Sequence, residues 1–242
     1  MADKKIEKAL YGPSMTEVAL GAVLGLIAGV LAACIYLVFK PVSQVKEMPK
    51  EDKIVKGMVY FIPGNESNAK SRNWQAKQKQ MTSGTTFTLD LVEDELNAWA
   101  NTLSAPPAPA PTPPKGAKAP AAAPADAAKP AADGIFNPGR PNFRIVDGRL
   151  QIGTKCVLNW YGLTYETTVI TTGTFAKSGG ALVYTPATLY LGSCPLHLLP
   201  AIAGPLMSHL ISKEKVPDEI RTAWAKVDTA TIENGTLKLV AQ

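Results

Sequence analysis

Between Val18 and Phe39 the chain carries 22 uncharged, mostly apolar residues, VALGAVLGLIAGVLAACIYLVF. No polar face interrupts the run, so it predicts a helix surrounded by apolar material rather than an amphipathic one. At a rise of ~1.5 Å per residue such a helix is about 33 Å long, enough to cross the hydrocarbon core of a bilayer. The pattern then changes at once. Residues 40–57 are polar and charged and read as a stalk, and Met58–Ile62 (MVYFI) returns to apolar character as a strand or an apolar plug. Ser67–Met81 combines good helix formers with Trp74 and Met81 at seven-residue spacing, which predicts a helix with a basic face. That face is a solvated surface or, second, a contact for anionic headgroups.

In the stretch TFTLDLVEDELNAWANTL, Phe87, Leu89 and Leu91 alternate with Thr86, Thr88 and Asp90, the period of a half-buried strand. Val92, Leu96, Trp99 and Leu103 then follow at helical spacing. The joint is crowded with carboxylates: Asp90, Glu93, Asp94 and Glu95. Clustered carboxylates serve as acid–base catalysts or metal ligands, but they also suit the first turn of a helix. There, unsatisfied N–H groups and the positive dipole end favour negative charge. Asp90 and Glu93 have the spacing of a capping box, with Asp in place of Ser or Thr. Three consecutive acids point to different sides of a helix and do not converge on one reacting atom. The cluster therefore reads as a helix start.

Ser104–Asp133 is 30 residues long, 22 of them Ala or Pro, and it predicts a disordered or polyproline-like segment. Such tracts usually separate domains. Here the upstream part holds one strand and two helices, too little apolar surface to fold alone. The tract is therefore expected to be an insertion within one domain, a linker rather than a docking motif, although PTPP has the composition a proline-binding groove accepts.

Downstream, Asn142–Gly162 places Asp147-Gly148 between two strand-like runs, a hairpin signal; Leu150, Ile152, Cys156, Leu158 and Trp160 share one face of the second run. Leu163, Tyr165, Thr167, Val169, Thr171 and Phe175 alternate again, and Ala181–Leu196 reads as one long strand or as two interrupted at Pro186. An antiparallel meander follows, with one buried face and one rich in Thr. Leu196–Ile211 predicts a mostly apolar helix bent near Pro200 and Pro205, Pro217 opens a further helix, and Asn234-Gly235 joins two final strands.

The expected fold class is α+β. An N-terminal transmembrane helix leads to one domain, a curved antiparallel sheet packed on a few helices and carrying the long disordered insertion. The expected limits are a tail over 1–17, the membrane helix over 18–39, a stalk over 40–57, the domain over 58–103 and 134–242, and the insertion over 104–133.

A net charge of +5 is spread thinly, with no basic stripe interleaved with aromatics, so nucleic acid is not an expected partner. Three cysteines are too few for a disulfide scaffold; Cys156 and Cys194 are expected as small buried side chains, or as a pair if the domain is exported. Ser208 and His209 are neighbours on a predicted helix and point apart, so they make no nucleophile–base pair. Cys194 and His197 offer two ligands to a metal with no second pair at zinc spacing. No phosphate-binding glycine loop or nucleophile elbow occurs. The expectation is a non-enzyme with no catalytic residues, no metal and no cofactor.

Gly21, Gly25, Gly29 and Ala33 recur at four-residue intervals and give the membrane helix one small-residue face suited to self-association. Leu31–Cys34 (LAAC) has the form of a lipobox, which is the alternative to an uncleaved anchor, but the apolar run continues through Phe39. Lys4, Lys5 and Lys8 precede the helix, whereas Lys40, Lys46, Lys50, Lys53 and Lys56 follow it. The raw count leans toward a cytoplasmic C-terminus; the short N-terminal tail favours an inside N-terminus.

TLDLVEDELNAW (Thr88–Trp99) and PATLYLGSCPLHLLPAIAGPLMSHL (Pro186–Leu210) resemble segments of the YpmS-like family of bacterial membrane-anchored extracytoplasmic proteins. A curled sheet on long helices is more distantly similar to tubular lipid-binding domains. The resemblance implies a single-pass protein of the cytoplasmic membrane with an extracytoplasmic domain. Glu95, Leu96 and Asn97 are the motif positions it carries over, and Asn97 is expected to cap backbone groups of a neighbouring strand or loop. The functional expectation is an anchored domain that binds an apolar or lipid ligand, or alternatively a structural or assembly protein of the cell envelope acting through protein partners.

Overall fold

The computed structural model describes residues 12–65, 71–84, 86–103, 136–160, 162–200, 203–205 and 218–241. The Ala/Pro tract and half of the apolar segment expected as a helix over 196–211 lie outside the described residues, as does His209; the start of that segment is a 3-10 turn over Leu196–Leu198.

Helix α1 runs Met15–Phe39 and is long and apolar enough to cross a membrane, with a mean hydropathy of 2.6 over its most apolar window. It begins three residues before the apolar run because Ser14 and Glu17 close a reciprocal capping box. The next strands are short. β1 (Ser43–Gln44) pairs in parallel with β2 (Tyr60–Phe61), and a 3-10 turn over Glu51–Lys53 lies between them. Helix α2 spans Ser71–Ser83, strand β3 spans Phe87–Val92, and helix α3 spans Glu93–Leu103.

Five antiparallel strands follow in the order of the chain: β4 (Phe136–Val146), β5 (Arg149–Trp160), β6 (Leu163–Ser178), β7 (Ala181–Leu191) and the two-residue β8 (Cys194–Pro195). Asp147 and Gly148 both have positive φ (50° and 68°), the backbone that a two-residue hairpin turn matching strand twist demands. Bulges between Pro138 and Pro141 and at Thr172/Gly173 curve the sheet. Pro186 sits opposite Gly173 at the second bulge, so β7 continues through it as a single strand.

After helix α4 (Asp218–Trp224), β9 (Thr229–Glu233) and β10 (Thr236–Ala241) form a hairpin across Asn234-Gly235. β10 also pairs with β3, Leu239 opposite Leu89 and Ala241 opposite Phe87, giving a second sheet in the order β3-β10-β9. The strand before the Ala/Pro tract is therefore zipped to the last strand after it, and the tract is an insertion within one α+β domain.

The main core lies between the two sheets and helices α2, α3 and α4; Trp74, Met81, Leu89, Leu96, Leu150 and Leu239 are among its buried members. A smaller cluster of Cys156, Val169, Leu189, Cys194 and Leu196 packs with Cys34, Leu37 and Val38 at the end of α1.

The face of the sheet away from the core is rich in Thr as expected, with Thr168, Thr172 and Thr188 on it, but it is only partly exposed. Thr154, Thr167 and Thr171 are buried on the core side. The other side is covered at its centre by Met58–Ile62, the stretch expected as a strand or an apolar plug, together with Met48 of the expected stalk. Phe61 lies over Gly153, where a β-carbon would come within 2.2 Å of the ring, and Met48 and Met58 face Ile170 and Tyr190. Residues 40–57 thus fold back toward the sheet. Their apolar side chains are too widely spaced to show a period, so the sequence gives no sign of this packing.

Candidate functional site

In the carboxylate joint, Glu93 and Glu95 each accept from a backbone N–H. Asp90 lies on the exposed side of β3 opposite Lys238, so it does not cap the helix. Instead the N–H of Val92 donates to the carboxylate of Glu95 at 3.1 Å, and Lys77 pairs with the same carboxylate at 2.7 Å. The helix starts two residues later than an Asp90 cap requires, because the β3–β10 ladder holds the backbone extended through Val92.

Glu93 and Asn97, one helical turn apart, face the free edge of β4. The N–H of Ile145 donates to Glu93 at 3.1 Å; Asn97 accepts from the N–H of Phe143 at 2.7 Å and donates to its carbonyl at 2.8 Å. Asn97 also donates to the carbonyl of Asn65, whose own N–H donates to Glu93. The fit is metric. Four helical residues rise about 6 Å and two strand residues about 6.7 Å, so i, i+4 on α3 matches i, i+2 on β4. The edge of β4 is closed to other strands by side chains. Leu96, the third motif residue, is buried in the main core.

Gly21, Gly25, Gly29 and Ala33 all lie on the exposed surface of α1, with nothing near the three glycines. His197 Nδ1 sits 3.1 Å from the carbonyl of Leu189, and its ring packs edge-on to Tyr190 at 5.2 Å. Among the described residues no three His, Cys, Asp or Glu side chains gather in a metal-binding group.

None of the three cysteines is in a disulfide. Cys156 and Cys194 form no disulfide; the Cys156 thiol donates to the carbonyl of Thr154 at 3.5 Å. The neighbour of Cys194 is Cys34, within hydrogen-bond contact. Burial first, and then Cys34 beside it, push the Cys194 thiol up to about 11.

The feature with the form of a binding site is a cavity of about 510 Å³ between the two sheets and the helices. That volume falls in the range of small-molecule pockets. An aromatic wall is built by Trp74 from α2, Trp99 from α3, Phe143 from β4 and Trp224 from α4; Trp99 stacks on Phe143 at 5.8 Å. Leu91, Leu237 and Leu239 line the side made by the small sheet. Val183 and Arg221 are the exposed members of the lining and mark its mouth.

Most of its few polar groups are satisfied within the protein. The Tyr184 hydroxyl donates to the carbonyl of Leu150 at 2.9 Å, and Thr171 donates to the carbonyl of Thr188 at 3.1 Å. Burial drives the Tyr184 phenol up to about 12 against an opposing hydrogen bond from Thr171. The exception is Trp74. Its side chain is 3% exposed, and its indole Nε1 is buried without a hydrogen-bond partner among the described residues. Sequence periodicity marks Trp74, Trp99 and Trp224 as core residues, but it carries no signal that they surround a space.

Comparison of the chain with protein-family models, with curated proteins and with solved structures gives no match.

Proposed function

We propose that this is a non-enzymatic, single-pass membrane-anchored protein whose domain holds an amphiphilic ligand, a hydrocarbon chain with a hydrogen-bond acceptor. The observation that carries this reading is the apolar cavity. It has the volume of a ligand site, an aromatic and aliphatic wall, and a mouth at Val183 and Arg221. Leaving an indole N–H buried and unpaired costs about 1–3 kcal/mol, so an occupant whose carbonyl or carboxyl oxygen accepts from Trp74 gains that much selectivity over a plain hydrocarbon. Arg221 lies at the mouth, where it is paired with Asp218 at 3.0 Å. Placement of the domain on the extracytoplasmic side is part of the same reading, and the resemblance of Thr88–Trp99 and Pro186–Leu210 to the YpmS-like family supports it.

The test uses the full chain in phosphatidylcholine nanodiscs with a photoactivatable fatty acid. Adducts on peptides carrying Trp74, Trp99 or Trp224, competed by unlabelled fatty acid and lost in Val169→Trp, are expected. Adducts confined to α1, or unaffected by competition, overturn the reading.

A further inference from the structure

The last carbonyls of a helix have no partner within the helix and are usually left to water or headgroups. Here the sheet takes them. The N–H of Ser193 donates to the carbonyl of Leu37 at 2.9 Å, the Thr167 hydroxyl reaches that of Val38 at 3.5 Å, and the Tyr165 hydroxyl donates to that of Phe39. The rings of Phe39 and Tyr165 meet edge-on at 4.8 Å. Gly192 lies so close to α1 that a β-carbon there would stand 2.4 Å from the carbonyl oxygen of Val38. The helix and the sheet meet without a spacer.

The contacts also orient the sheet. Cys34 meets Cys194 on β8, while Val38 and Phe39 meet Thr167 and Tyr165 on β6. Moving from Cys34 to Phe39 climbs about 7.5 Å along α1. Moving from β8 past β7 to β6 crosses two strand spacings, about 9.6 Å. Tyr165 also lies four residues along β6 from Val169, the residue in line with Cys194 through Leu191, a further ~13 Å, so α1 crosses the strands obliquely, with β8 beside its apolar part and β6 beside its end.

The apolar run begins at Val18, just after Glu17. About 20 residues cross the ~30 Å hydrocarbon core, which puts its far boundary near Leu37. Cys34, and with it β8, falls at or just inside that boundary. Directly after β8, Leu198 is 69% exposed, an apolar side chain offered to whatever lies beyond that edge.

We propose that the five-stranded sheet leans on the end of α1 with its β8 edge toward the bilayer that α1 spans, that edge and Leu198 seated in the boundary between headgroups and acyl chains. This rests on α1 spanning the membrane. The domain is then a rigid footing on the lipid surface, not a body swinging on a tether.

The test places the photo-crosslinker benzoylphenylalanine singly at Leu26, Leu198 or Lys155 in the full chain, reconstituted in phosphatidylcholine vesicles. Leu26 lies in mid-span. Lys155 is exposed on β5, three strands from β8. Lipid adducts by mass spectrometry at positions 26 and 198, with at least five-fold less at 155, are the expected result. Adducts at 26 but not at 198 overturn the footing and leave the anchor intact. Equal yields at 198 and 155 overturn the placing of the β8 edge toward the bilayer, and a crosslink from 198 to a second copy of the chain overturns the lipid contact. No adduct at 26 removes the anchor itself and the footing with it.

Discussion

The backbone N–H of Ser193 donates to the carbonyl oxygen of Leu37 across 2.9 Å, joining the turn after β7 to the last turn of the apolar helix. This bond is possible because the adjacent residue is glycine. Gly192 has a φ of +58° and no side chain to hold the two backbones apart. Gly192→Ala combines a strained backbone with a β-carbon 2.4 Å from the Val38 oxygen. We expect the helix end to detach from the sheet, at a cost of about 1–3 kcal/mol from overpacking alone. Hydrogen exchange of Ser193 and of the β6 amides should rise in the variant while β10 stays protected. Unchanged exchange at Ser193 would show the junction to be dispensable.

Cys34 and Cys194 touch, although most of the domain lies between them in sequence. A mild oxidant acting on the full chain is expected to join them, with loss of two hydrogen atoms, the electrons passing to the oxidant. Cys194→Ser should abolish the crosslink and Cys156→Ala should not. Alkylation of Cys194 by iodoacetamide should be slow at pH 8 and accelerate as pH rises toward the value of about 11 to which burial pushes this thiol, because the thiolate is the nucleophile. A crosslink between Cys156 and Cys194 in peptide mapping would contradict the arrangement.

Asn97 satisfies both peptide groups of Phe143. Asn97→Ala orphans a buried N–H and a buried C=O at about 1–3 kcal/mol each, enough to lower the thermal midpoint by many degrees. Asn97→Asp keeps the acceptor for the Phe143 N–H but loses both donors, so it should fall between the two. Calorimetry of the three proteins checks the order, and an alanine variant as stable as the parent would rule out the edge-capping role.

Tyr184 sets a pH dependence of definite sign. Its folded pKa stands near 12 against an ordinary 10.0, so its contribution to stability is complete below pH 10 and is lost as pH rises to 12. Tyr184→Phe removes the hydroxyl bonded to the Leu150 carbonyl and should cost about 1 kcal/mol at pH 7. The stability gap between parent and variant should close over pH 10–12 in denaturant titrations. A gap independent of pH would mean that the phenol ionises freely in the folded state.

Local devices were legible without coordinates. The apolar run over Val18–Phe39, the passage from alternation to helical spacing at Val92, and the turns at Asp147-Gly148 and Asn234-Gly235 each lie within a few residues of chain. Each follows from backbone sterics or from a period that one short window contains. Ser14 and Glu17, the box that starts α1, are equally local, but they precede the apolar run and so lie outside its pattern.

What only the tertiary structure decided are pairings between distant positions. Asn97 with Phe143, Cys34 with Cys194, Phe61 over Gly153 and the space ringed by Trp74, Trp99 and Trp224 join residues tens to more than a hundred positions apart. Periodicity tells which side of an element is buried, because burial of a face recurs with the local repeat. It cannot tell what that face meets, because the partner is chosen by how strands register and helices cross. The same holds for the cavity: apolar side chains that fill a core and those that line a space have one pattern, and only their packed volumes separate them.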